Sequence, residues 1–124
     1  MVAYAAEPGL RGLLMFLSML GAHTRDLIAD PRASLVVGAP DPGEGDPQNL
    51  ARVTLDGSAH EVARHEAGFA EAWAVYVGRF PDAAPRIALT DFVLMRFVPE
   101  SARYVGGFAR AATYSAAELG GAFD

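Results

Sequence analysis

The sequence contains no cysteine. This removes disulfides, thiolate metal sites and cysteine nucleophiles, and it fits a reducing cytoplasm. The chain also lacks a long basic run, and its formal net charge is −5. A nucleic-acid-binding surface is expected to carry a basic stripe, so nucleic acid is not an expected partner. A single phosphate-bearing ligand stays compatible with an acidic chain, because a pocket can be locally positive. No apolar run approaches the roughly 18 residues that a membrane-spanning helix needs. The stretch Gly12 to Ala22 is apolar, but it is short and interrupted. Only Glu7 and then Arg11 precede it, not the basic leader of a secretion signal. The nucleophile elbow G-x-S-x-G, the Walker A loop and the dinucleotide fingerprint G-x-G-x-x-G are missing as well.

What remains is a chain of 124 residues, 52% apolar and 20% charged, which predicts one globular domain over residues 1–124 with a modest core. Val2 to Ala6 reads as a strand closed by the turn Glu7-Pro8-Gly9. Leu13 to Ser18 is apolar on both faces and predicts a strand inside a sheet. Met19 to Ala29 is helix-like until Pro31 stops it, and Ala33 to Val37 forms the next strand. Residues 38–49, rich in Gly, Pro and acids, predict a loop. Ala51 to His60 alternates as a strand, with Val53 and Leu55 on one face and Arg52, Thr54 and Asp56 on the other.

Glu61 to Phe80 predicts the longest helix, with Val62, Phe69, Trp73, Tyr76, Val77 and Phe80 on one apolar stripe. Thr90 to Val98 reads as a strand whose Arg96 must be paired or at an exposed end. Pro99-Glu100 predicts a turn, and Ala102 to Phe108 a last strand. Ser115 to Glu118 resembles a capping box opening a terminal helix. The expected class is mainly β with short helices, a small barrel or curled sheet packed by a helix.

Two stretches bear on chemistry. His60-Glu61-Val62-Ala63-Arg64-His65 has one residue too many for the zinc-protease box. On a helix, an i, i+5 pair of histidines stands about 140° apart, so no metal site is expected. The second stretch, Ser18 to Arg32, joins a strand end to a helix start with hydroxyls, a histidine and a guanidinium at the junction. Free backbone N–H groups and the positive helix end suit a phosphate. The same residue types also serve as ordinary helix caps.

The string A-H-T-R-D-L-I-A-D-P-R-A-S-L-V-V-G from Ala22 to Gly38 resembles the signature of the pyridoxamine 5'-phosphate oxidase-like flavoproteins, and more narrowly their haem-utilisation branch. Three further pieces recur in order: G-D-P at Gly45 to Pro47, R-V-T-L-D-G at Arg52 to Gly57, and V-G-G-F-A-R-A at Val105 to Ala111. The resemblance implies a split β-barrel of the FMN-binding type, a homodimer with flavin sites at the interface, and an FMN-dependent oxidoreductase of unspecified substrate. Carried over by position, the cofactor contacts are Leu17, Ser18, His23, Thr24, Arg25, Arg52, Thr54, Phe108 and Arg110. No residue stands out as a catalytic acid, base or nucleophile.

Asp26 takes the place of the branch's usual asparagine, and Ala109 that of a glycine. Relatives also carry a helix and a strand before the segment matched to Val2 to Ala6, so the barrel is expected to be N-terminally shortened. Two alternatives accompany the flavin reading. One is a haem-binding or haem-degrading protein of iron utilisation, with His23, His60 or His65 available to iron. The other is a non-catalytic dimeric module that has lost flavin binding.

Overall fold

The computed structural model describes residues 2–38, 52–106 and 110–115. Six strands form one antiparallel sheet: β1 (Ala5–Ala6), β2 (Leu13–Ser18), β3 (Arg32–Gly38), β4 (Arg52–Glu61), β5 (Phe92–Gly106) and β6 (Arg110–Ser115). Two α-helices interrupt them, α1 (Ala22–Ala29) after β2 and α2 (Phe69–Arg79) after β4. The strand order is β1-β2-β5-β4-β3, with β6 also paired to β5. Among the described residues no helix is long and apolar enough to cross a membrane.

The long strand β5 organises the sheet. Its first part pairs with β2, from Phe92↔Ser18 to Phe97↔Leu13, and its last part with β6, from Ser101↔Ser115 to Gly106↔Arg110. Strand β4 pairs along most of its length. The turn expected at Pro99-Glu100 is therefore not there; the chain runs through it. Register shifts by one residue, so that Asp56 faces Ser101 while Gly57 faces Pro99, and Glu100 is the extra residue of a bulge. A bulge is where a sheet tolerates proline, which has no N–H to donate. The partner must be glycine: a Cβ on Gly57 would lie 2.1 Å from the Val98 carbonyl oxygen.

Other expectations shift at their ends. The first strand is confined to Ala5–Ala6, and α1 begins at Ala22 because Met19 and Leu20 form a turn. The long helix begins at Phe69, not Glu61. His60 and Glu61 are held in the ladder against Arg96 and Met95, and the Val62 N–H donates to the Leu94 carbonyl at 2.7 Å. The Arg64 guanidinium then binds the carbonyls of Ile87 and Leu89, fixing the turn that follows. Strand β6 is additional to the expected elements, and the last strand expected at Ala102 to Phe108 is, over its described residues, the far half of β5. The loop at 38–49 and the terminal capping box lie largely or wholly outside the described residues.

Period-2 alternation sends β2 side chains to two cores. Leu14 and Phe16 meet Leu94 and α2, where Phe69, Ala72 and Tyr76 are buried. Leu13 and Met15 meet Leu55, Ala59, Met95 and Phe97 on the other face, with Leu17, Leu27 and Leu35 packed beside them. Arg96 falls on the α2 side, and its guanidinium makes a two-point pair with Glu7, at 2.6 and 3.0 Å. That meets the requirement that this cation be paired.

Candidate functional site

The junction of β2 and α1 is built by short-range bonds. The Ser18 hydroxyl accepts the Leu20 N–H at 3.2 Å, and the Gly21 N–H donates to the Ser18 carbonyl at 3.1 Å. The Met19 N–H reaches the Asp91 carbonyl at 2.6 Å, tying the turn to the start of β5. Gly21 is the N-cap, with extended φ/ψ and no side chain to satisfy the first helical N–H groups. The first intrahelical bond runs from the Arg25 N–H to the Gly21 carbonyl, so the amides of Ala22, His23 and Thr24 precede the ladder.

This junction opens onto a cavity of about 740 Å³ between α1, β2, β3 and the facing part of β4 and β5. Its wall is apolar, made by Met15, Leu17, Leu27, Leu35, Ala59 and Phe97. Its polar side carries Ser18, His23, Thr24, Asp26, Asp30, Arg32 and Ser34. Thr24 is 3% exposed, the one buried polar side chain among the described residues. Arg32 folds back over Pro31 onto Asp30: Nε donates to Oδ1 at 3.1 Å and Nη2 to Oδ2 at 2.9 Å, while the Arg32 N–H also reaches Oδ1 at 3.2 Å. These Arg32 hydrogen bonds hold the Asp30 carboxyl below its ordinary value. The cavity thus shows two carboxylates and one guanidinium, and that guanidinium is already engaged.

Of the residues expected to contact a cofactor, Leu17, Ser18, His23 and Thr24 come together at this cavity. Arg25 is exposed on α1 and does not line it. Arg52 and Thr54 alternate with Val53 and Leu55, which belong to the cavity-side core, so they project from the opposite face of β4. Phe108 lies outside the described residues, and Arg110 begins β6 opposite Gly106. His60 and His65 are also away from the cavity; His60 sits at the end of β4, where its ring contacts the Ser58 hydroxyl at 3.2 Å. Their helix spacing is moot, since neither is on a helix. Among the described residues no group of His, Asp and Glu could hold a metal ion.

Sequence reasoning did not single out Asp30 and Arg32 as site residues, although both stand in the D-P-R string. Nor did it find the far wall, Leu35, Ala59 and Phe97, which the sheet assembles from three strands.

The CREG β-barrel family model matches residues 2–118. The chain belongs to that family. A curated relative, the chloroplastic heme oxygenase HOZ of Arabidopsis thaliana, is 35% identical over 98 residues, 79% of this chain and 28% of that protein. A heme binding protein from Mycobacterium smegmatis superposes with a TM-score of 0.83 at 30% identity, over 97% of this chain and 48% of that one. A Clostridium acetobutylicum protein of the pyridoxinephosphate oxidase family superposes with a TM-score of 0.67 at 15% identity, over 95% and 75%. The last likeness is one of fold. This CREG barrel is therefore a split barrel of the pyridoxamine 5'-phosphate oxidase-like type, as the motifs implied. It spans 28% and 48% of the first two relatives' lengths.

Proposed function

We propose that this CREG-family chain is a haem-binding module, and that the cavity beside α1 is where the tetrapyrrole sits. The observation that carries the reading is the make-up of that cavity. Its wall is largely apolar, and its fixed charges are two carboxylates against one paired guanidinium. An apolar slot with few polar groups suits a flat, largely apolar ring. The same charges oppose a phosphate dianion, which needs free cationic donors. Two relatives at 30% identity or above bear names that speak of heme.

The residues present fit haem. The apolar wall would take the ring, His23 offers an imidazole at the cavity, and Arg32 is the cation within reach of an acidic substituent. When bound, haem supplies iron redox and oxygen chemistry. The chain's own part is to exclude water from one ring face through Met15, Leu17, Leu35 and Phe97, and to hold the ligand's polar edge toward solvent. Following the family expectation, the working unit is a homodimer, which light scattering on the purified protein checks.

The test is a hemin titration followed by absorbance. The expected result is a saturable, shifted Soret band whose position changes in His23→Ala. Absence of saturable uptake would overturn the reading.

One observation favours a second reading, FMN binding. The Ser18 hydroxyl, the buried Thr24 hydroxyl and the uncapped start of α1 gather on one side of the cavity. FMN retained through gel filtration, with riboflavin lost, would support it over haem.

A further inference from the structure

The cavity's one guanidinium is held by a carboxylate two residues away, and that arrangement has a use if the ligand carries an acid. We propose that Asp30 and Arg32 form an exchangeable clasp, in which Arg32 leaves Asp30 and takes an anionic substituent of the ligand, a propionate in the haem reading on which this rests.

The geometry supports the exchange. Asp30 is anchored from behind, its N–H donating to the Asp26 carbonyl at the end of α1 at 2.9 Å. Arg32 is the more exposed partner: its side chain is 86% exposed, and that of Asp30 54%. An ion pair so exposed contributes little net free energy, so giving it up costs little. A carboxylate on the ligand presents the same two-oxygen edge that Asp30 now presents to Nε and Nη2. Both residues line the cavity on one side and an outer shelf with Asp56 and Glu100 on the other. One of these acids, Asp56, accepts a hydrogen bond from the Ser34 hydroxyl. With the clasp closed, the cavity offers no free cation and the Asp26 carboxylate repels acids. With Arg32 turned inward, it offers one cation to one acid. The pair therefore sets a preference for a ligand with one acidic arm at this position over a densely charged phosphate.

The experiment measures affinities of hemin and of hemin dimethyl ester, whose acids are blocked, for the wild-type protein, Asp30→Asn and Arg32→Ala. Exchange predicts that Asp30→Asn tightens hemin by about fivefold and Arg32→Ala weakens it by about fivefold, the scale of an exposed ion pair. The dimethyl ester should bind all three alike, which also shows that the variants keep the cavity. Equal effects on both ligands, or no effect on hemin, would overturn the clasp while leaving the haem reading intact. Uptake of neither ligand would overturn both. Uptake of FMN instead would overturn both, because the clasp as stated disfavours a phosphate.

Discussion

The two faces of the sheet receive their helices differently. On one, the eleven-residue α2 brings an aromatic stripe against Phe16, with ring centroids 4.8 Å from Trp73, 6.1 Å from Tyr76 and 5.2 Å from Phe92. On the other, the eight-residue α1 contributes Leu27 to the packing and buries only Thr24. Aromatic rings fill the first interface. On the second, Phe97 is the one ring in the apolar wall, and smaller side chains around it leave a cavity of about 740 Å³. Both faces are fed by the same strand, β2, whose alternate residues go opposite ways. One six-residue segment thus supports a core packed by aromatic rings on one side and the larger cavity on the other.

This contrast can be broken from either side. The largest expected effect is Phe16→Ala, which removes the ring at the centre of the aromatic face and should cost about 3–5 kcal/mol of stability. Denaturant unfolding followed by Trp73 fluorescence reads it directly, since the chain has one tryptophan. A midpoint unchanged from wild type would show that α2 does not seal this face.

Next is Gly57→Ala, where the added Cβ meets the Val98 carbonyl at the bulge. It should destabilise by about 1–3 kcal/mol, as overpacking does, although it touches neither helix. Hydrogen exchange should show the loss along β4 and β5 first.

A smaller effect sharpens the dryness of the α2 face. Burial raises the Tyr76 hydroxyl above its ordinary 10.0, with the Phe16 backbone and the Arg86 charge pulling weakly the other way. A raised folded-state value means the contribution is whole below pH 10.0 and is lost as pH climbs through the folded value. Stability should fall in that alkaline window, and Tyr76→Phe should flatten the fall.

Much of this architecture was legible in the sequence. Strands β2, β3 and β4 stood out because alternation and apolar runs follow from which faces are buried, and the aromatic stripe from Phe69 to Phe80 announced α2. The unity of β5 was not legible. Pro99 reads as a break in isolation, and only its pairing with Gly57 lets the strand pass. The site was half legible. Ser18, His23 and Thr24 lie on one continuous segment, so their proximity needs no tertiary knowledge. Arg52 and Thr54 were correctly placed on one face of β4, but a period of two does not say which face borders the cavity. Arg32 drew no notice because its role depends on the chain folding back over Pro31 to reach Asp30.

The most direct test of the central claim is hemin affinity in Leu35→Trp, which places a bulky ring into the α1-side cavity and leaves the α2 face untouched. The account predicts saturable hemin uptake by the wild-type protein and a loss of at least about tenfold in affinity, about 1.4 kcal/mol, in the variant, with the unfolding midpoint nearly unchanged. Equal hemin affinity in the two proteins would contradict it, because the ligand would then sit somewhere other than this cavity.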